Sequence, residues 1–424
     1  MSTRAHALER HADYATAHTV DIEQPRSSSG RRVLDVGPLS VELYDDPAAI
    51  ESEWRQFEQR AVSSLFQSYD WLDAWLKSGA LAHGEAPVIA VGRRASGAID
   101  FIWPLAVVRR NGFSLLTWLG TPINSYNTGI FDLNAEVRNP TLARAALSAI
   151  AHSLPGVVAI QLVNQPMVWE TVPNPLVLDR WAPNGDFARQ ISLGADADSL
   201  IGSQVSAQRR RDIKRKQRKI EELGKISLFD ARSTEERRGF VECFLRLKLT
   251  QLEKIRSPSA FADSSVVRFL HLLAAGTPKS FQQHMEVQMV GDQTASMRWG
   301  MTFKDRYYGF NQTVGDGNFR SFSPGLVHTL HSVRAACLDG TEFYDFGPGP
   351  GDHKDFWKPT DTALVDTRIV LKATGWAAVG PSMVWSAAKV RLRAHPRALD
   401  IWRNLRFHVR GLARHQVRVA DGNR

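Results

Sequence analysis

Apolar and polar residues alternate with a period of two at several places along this chain, and with a helical period in the stretches between. A first strand is expected within VLDVGPLSVELYD. Asp46 as N-cap and Pro47 at the first turn predict a helix through Ala61. Ser68 opens a second helix, YDWLDAWLKSG, whose Trp71, Leu72, Trp75 and Leu76 share one face and whose end is set by Gly79; that spacing is the stripe of a core helix. APVIAVGRR and AIDFIWPLAVVRR predict a hairpin. A polar loop (GTPINSYNTGIFD), a helix from Pro140 to Ser153 and the strand VVAIQLVN follow.

The second half repeats this order. One long polar helix is expected between Asp196 and Gly224, then the strand ISLFDAR, helices from Thr234 to Leu252 and Phe261 to Ala275, and the strand HMEVQMVG. Two strands, TASMRWGMTF and DRYYGFNQTV, lead through GDGNFRSFSPG into the helix LVHTLHSVRAACLDG. The buried strand TEFYDFG, the loop PGPGDHKDFWKP and the closing strand ALVDTRIVLK come next. A glycine-containing loop at a helix N-terminus can bind a phosphate through its amides and the helix dipole, and a gap between strands can accept an extended ligand by edge pairing.

The 424 residues suffice for two domains with their own cores, and 43% hydrophobic content is that of a globular chain. No apolar run approaches the roughly 20 residues of a membrane span, and MSTRAHALERHADYATAHTV has no signal-like apolar core, so a cytoplasmic location is expected. Residues 1–32 are expected to be a disordered leader. Cys243 and Cys337 are expected as buried free thiols; His328 and His331 lack a third ligand, so no metal site is expected. The net charge of +9 is concentrated in two places: residues 209–219 carry eight Lys/Arg against one Asp, and residues 389–424 carry ten against Asp400 and Asp421. From Gly375 onward the pattern is that of basic amphipathic helices, which can lie on an anionic membrane surface or pack on the protein with a solvated basic face. No helix-turn-helix or zinc pattern points to sequence-specific DNA binding.

Four segments in order, LFQSYDWLDAWL (65–76), RRRDIKRKQRKIEELG (209–224), the hairpin, loop and helix from Thr294 onward, and DFGPGPGDHKDFW (345–357), resemble the GNAT acyltransferase superfamily, specifically its CelD/BioF-like branch, a relative of the Fem aminoacyltransferases. The resemblance implies an α/β (α+β) fold of two tandem GNAT-like modules, with mixed sheets flanked by helices. A degenerate module would occupy residues 33–195, a catalytic one 196–372 and a basic helical tail 373–424. It implies transfer of an acyl group, acetyl in the first instance, from acyl-CoA to a small amine or amino sugar, in polysaccharide or envelope assembly. A Fem-like enzyme would instead take its acyl group from aminoacyl-tRNA, which Arg209 to Lys219 would suit; a non-catalytic basic binding protein is the third alternative, with the basic tail placing the chain at the inner membrane face.

Site residues follow. Arg320, Ser323, Pro324 and Gly325 are the candidates for the pyrophosphate of coenzyme A, with Ser323 capping the helix, Pro324 at its first position and Gly325 admitting a close approach. Asp345, in an apolar strand, is read as a base with a raised pKa or as a structural carboxylate bonded to loop amides. Asp352 and His353 are further base candidates, Lys354 a donor to an oxyanion or phosphate, and Tyr308 a proton donor to the leaving thiolate or a packing residue. Trp299, Asn311, Asp352 and Trp357 are assigned to the substrate cleft; Arg298 and Trp299 face opposite ways on their strand, and either can line it.

Overall fold

The computed structural model describes residues 32–179, 181–254, 260–349 and 351–393; the leader, and the tail beyond Arg393, lie outside them. The first strand expected is a hairpin, β1 (Arg32–Val36) and β2 (Leu39–Tyr44), because Gly37, with φ +59°, turns the chain inside it. Asp46 caps as expected, its Oδ1 accepting from Ala48 N at 2.9 Å, but the first turn is 3-10 and the α-helix α1 spans Glu51–Arg60. Helix α2 (Tyr69–Lys77) buries Trp71, Leu72 and Trp75, and Gly79 at φ +97° ends it. Strands β3 (Glu85–Arg94) and β4 (Ile99–Arg110) form the expected hairpin. They are followed by β5 (Phe113–Trp118), α3 (Pro140–Ser153), β6 (Val157–Pro166) and β7 (Trp181–Ser192).

The long polar helix is in fact two, α4 (Ala197–Gln204) and α5 (Ala207–Glu221). Val205 is extended between them, and Ser206 starts the second by accepting from Arg209 N at 3.3 Å. Strand β8 (Ile226–Asp230), helices α6 (Thr234–Lys254) and α7 (Ser264–Ala275), and strands β9 (Gln282–Val290), β10 (Gln293–Phe303) and β11 (Arg306–Val314) come next. Helix α8 (Pro324–Leu338), β12 (Phe343–Asp345), the one-turn α9 (Asp352–Asp355), β13 (Thr360–Val370) and α10 (Gly375–Arg393) complete the described chain.

All these strands join one mixed sheet flanked by helices, in the order β1-β2-β3-β4-β5-β6-β13-β7-β12-β11-β10-β9-β8. Each half is an antiparallel run ending in a parallel pair, β5 with β6 and β11 with β12. The strand that follows each parallel pair crosses over. β13 pairs with β6 of the first half, β7 pairs with β12 of the second, and β7 and β13 pair with each other at the centre. The two halves are therefore hydrogen-bonded through exchanged strands.

A second contact between the halves is polar. Glu58 of α1 accepts from Tyr69 N at 2.8 Å and from the Ser280 hydroxyl just before β9, while Asp70 accepts from the Lys279 and Ser280 amides and is clamped by Arg55 at 2.6 Å. Burial pushes the Glu58 carboxyl up from 4.5 to about 7. The folded state thus holds this proton more tightly than the unfolded chain, and the associated stability, complete below pH 4.5, is lost as pH rises through 7. Glu58→Gln should remove that dependence: relative to wild type the variant should gain about 3 kcal/mol between pH 4.5 and pH 8, read by urea denaturation at both pH values, and a difference that does not change with pH would show that Glu58 does not titrate there.

Candidate active site

Tyr308 and Asp345 are the last paired residues of β11 and β12. Beyond them the strands part. β11 carries a bulge against β10, where the register jumps between Trp299 and Met301, and a bulge bends its strand. β12 ends as Gly347, at φ +75°, turns the chain away. Gly309 sits at the bend, where a Cβ would stand 3.1 Å from the Asp345 carbonyl oxygen and push the two backbones a few tenths of an ångström apart. The result is a cleft of about 870 Å³ between the free edge of β11 and the loop after β12, closed at one side by the start of α8 and by α5.

Two ammonium groups flank its α8 end: Lys216 donates to Ser323 Oγ at 3.4 Å and Lys248 of α6 to the Gln312 carbonyl at 2.8 Å, while Arg209 donates to the Asp355 and Phe356 carbonyls on the α9 side. Burial, with the charge of Lys354 added, brings Lys248 down to about 8. The basic run therefore divides: Ile213 and Ile220 anchor α5, Arg209, Asp212 and Lys216 face the cleft, and Arg211, Lys214, Arg215, Arg218 and Lys219 are exposed. Arg298, fully inside the sheet, donates to Tyr344 Oη and Gln312 Oε1 at 2.9 Å each and to Thr329. Gln312 Nε2 and Thr329 Oγ1 both donate to the Gly325 carbonyl at 2.8 Å, so this one guanidinium fixes the start of α8 against β11.

Of the residues singled out in the sequence, Ser323, Gly325, Asn311, His353, Lys354 and Arg298 line the cleft. Pro324 occupies the first turn of α8 as expected. Ser323 does not cap it: at φ 55° and ψ 56° it is in the left-handed region, and its hydroxyl turns to Lys216 instead. Arg320 is spent on the preceding turn, bonding Val314 O, Gly315 O and Asp316. Trp299 lies in the core against Phe240, Phe244 and Phe310, and Trp357 is buried against Phe346 and Phe356. Asp352 begins α9. Lys354 donates to three carbonyls, Gly347, Pro348 and Gly349, at 3.0, 2.7 and 3.3 Å, and burial brings it down to about 8. It holds the loop that forms the cleft wall.

Asp345 sits behind the apex, buried, its pKa raised by burial. Its Oδ1 accepts from Gly347 N at 2.6 Å and from Tyr126 Oη at 2.9 Å. Tyr308, also buried, accepts from Leu65 N at 3.3 Å. Sequence reasoning missed Lys248 and Gln251 of α6 and Gln312 of β11; the one available signal was Lys248 set among the leucines of FLRLKL, where Arg246 is the other charge.

A second cavity of about 240 Å³ shares Phe310, Asn311 and Pro348 with the cleft. Its other walls are Phe261, Val266, Phe269 and Leu270 on one side and Ser125, Asn164 and Asp186 on the other. The equivalent opening in the first half is filled by the chain itself. The loop after β5 inserts Asn127, whose N donates to Asn164 O at 3.0 Å and whose Nδ2 donates to Val163 O at 2.9 Å, occupying the edge of β6 beyond its pairing with β5. Among the described residues no group of His, Cys, Asp and Glu is placed to hold a metal ion, and both cysteines are buried thiols.

Residues 207–355 match the family model described as an acetyltransferase (GNAT) domain. Among solved structures the chain is similar to FemX (12% identity, 78% of this chain and 98% of that one, TM-score 0.48). It is also similar to the C-terminal domain of a putative lysylphosphatidylglycerol synthetase from Agrobacterium fabrum (11%, 80% and 97%, 0.47). A tandem GNAT protein of the clavulanic acid biosynthesis pathway is a third (8%, 81% and 99%, 0.43). No curated protein gives a significant match.

The Tyr126–Asp345 bond ties the first-half plug to the apex of the second-half cleft. Tyr126→Phe should cost about 1–3 kcal/mol in urea denaturation, the range for leaving a buried acceptor without its donor; an unchanged midpoint would mean the bond contributes nothing to the folded state.

Proposed function

We propose that the chain is an N-acyltransferase that moves an acyl group, acetyl in the first instance, from coenzyme A to a small amine. The observation that carries the proposal is the parting of β11 and β12 at Tyr308 and Asp345, which opens a cleft with a free strand edge along one wall and a cationic helix start at its end, inside the stretch that matches the GNAT family. The pyrophosphate of coenzyme A is assigned to Ser323, Gly325, Lys216 and Lys248, where the α8 dipole adds to two ammonium groups. The extended pantetheine arm is assigned to the edge of β11, by strand-like pairing. This brings the thioester to the apex beside Asn311, where the cleft meets the smaller cavity, which is assigned to the acceptor.

The amine nitrogen attacks the thioester carbon, the carbonyl oxygen takes up charge, and the carbon–sulfur bond breaks as the thiolate leaves and takes a proton. No covalent enzyme intermediate is required, so holding the two substrates in contact supplies much of the rate. His353, on the cleft wall, is assigned the proton from the amine, and Asn311 the polarisation of the carbonyl. Lys354 and Asp345 act as positioning residues, keeping the loop 347–349 in place. An amino sugar as acceptor suits a cavity with one polar and one apolar wall.

Titration calorimetry with coenzyme A should give micromolar affinity in wild type, and Lys216→Met with Lys248→Met should weaken it by about tenfold or more, as expected for two charge-assisted contacts. No binding by folded wild type would overturn the assignment. One observation favours a second reading, an aminoacyl-tRNA donor: the exposed Arg211, Lys214 and Arg218 flank the cleft-lining side of α5. On that reading tRNA should bind with a steep salt dependence that flattens when these three are changed to Gln; filter binding in which the triple variant matches wild type would remove it.

A further inference from the structure

Helix α10 is amphipathic the wrong way round. From Gly375 to Ala388 it contains no charged residue, and its polar side chains point inward. Ser382 Oγ accepts from Arg368 Nε at 3.2 Å and from Gln161 Nε2 at 3.1 Å, and Ser386 Oγ accepts from Arg368 Nη2 at 2.8 Å. Arg368 itself is buried and paired with Asp366 at 2.8 Å. With Gly375 and Val379, these serines form the inner stripe at helical spacing, packed on β6, β7 and β13. The outer face is apolar: Trp376 is 59% exposed and Val384 71%, with Met383, Trp385 and Val390 also exposed. Strand β7, on which the helix lies, exposes Trp181 and Phe187 as well.

An ordinary surface helix turns its apolar stripe inward. Here a buried ion pair and two serines dock the helix together with Val379, which packs on Val108, Leu115, Val158 and Ala159, and the outer face leaves Trp376, Met383 and Val384 exposed. The sequence-based alternative of a packed helix with a solvated basic face is corrected in this respect: the helix packs, but over its first fourteen residues the solvent face is apolar. The charge comes immediately afterwards. Lys389, Arg391 and Arg393 begin a stretch that reaches residue 424 with ten Lys/Arg against two Asp. No helix among the described residues is long and apolar enough to cross a membrane.

We propose that the outer face of α10 docks on the surface of a bilayer containing anionic lipid, with Trp376, Met383, Val384 and Trp385 entering the headgroup boundary and the basic stretch that follows held by lipid charge. Apolar area with aromatic residues at the interface, followed by cations, is the chemistry such a surface selects. A protein partner or a second copy would need apolar complementarity but would not account for ten cations in the next 36 positions. Peripheral docking places the cleft close to the membrane: Lys389 of the helix bonds Asp186 at 2.6 Å, and Asp186 is in the wall of the smaller cavity.

The test is cosedimentation of the full chain with phosphatidylcholine vesicles, with and without a third of phosphatidylglycerol. Wild type should pellet with the anionic vesicles, less at high salt and little with the neutral ones. The triple change Trp376→Ser, Val384→Ser and Trp385→Ser, all at exposed positions, should weaken partitioning by about tenfold or more, with the circular dichroism spectrum and coenzyme A titration unchanged. A triple variant that pellets like wild type would overturn the proposal. So would a wild type that ignores both vesicle types, whether sedimentation velocity then shows a dimer that the triple change dissociates, or vesicle binding emerges only on truncation after Arg393 because the chain's own tail covers the face.

Discussion

The site depends on a parallel strand pair that is forced apart after Tyr308 and Asp345. Parallel strands offer one another evenly spaced backbone groups, and nothing in the pairing itself stops it. The stop comes from geometry on both sides: the bulge bends β11, and Gly347 turns the other chain with a backbone conformation that side chains disfavour. Once parted, the strands leave unsatisfied edge groups in the middle of a protein. Those groups must find partners. Lys248 takes the Gln312 carbonyl, Lys354 takes three carbonyls of the facing loop, and the remaining edge is open to a ligand.

The first half meets the same constraint and solves it internally. Its parallel pair also parts, but Asn127 fills the gap with backbone and side-chain donors, so that half contributes walls and supports rather than a cleft. The exchange of β7 and β13 locks the arrangement, since each parallel pair has its outer neighbour supplied by the other half. Support also crosses the boundary through Tyr126 on Asp345, and through Glu58 and Asp70 on the chain around Ser280. The apex of the second cleft is thus built partly from first-half residues.

Electrostatics are arranged around this frame in two separate zones. At the cleft, Lys216 and Lys248 are held close to the N-terminus of α8; burial and the charge of Lys354 lower the proton affinity of Lys248, and an arriving anion would favour its charged form. On the far side of β7 and β13, Arg368 is neutralised by Asp366 and used to dock a helix whose outward face is apolar.

The sequence by itself determined most of the elements: the alternation of β3 with β4 and of β9 to β11, the core stripe of α2, the Asp46 cap and the position of Pro324. These are local, because side-chain periodicity and φ preferences act within a few residues. It also placed Ser323, Gly325, Asn311, His353 and Lys354 near one another through their order in the chain. The break between α4 and α5 escaped notice because no proline marks it and the nearest glycine, Gly202, lies inside α4 rather than at its end. Strand β7 was missed since it is mixed in character, being half of a seam whose partner arrives 180 positions later. Only the tertiary structure decided which basic residues face the cleft, that Lys248 belongs to it, that Asp345 and Lys354 are committed to holding a loop, and that α10 shows its apolar side to the outside. Each of those depends on which surface an element packs against, and a sequence states the faces of an element without stating what will cover them.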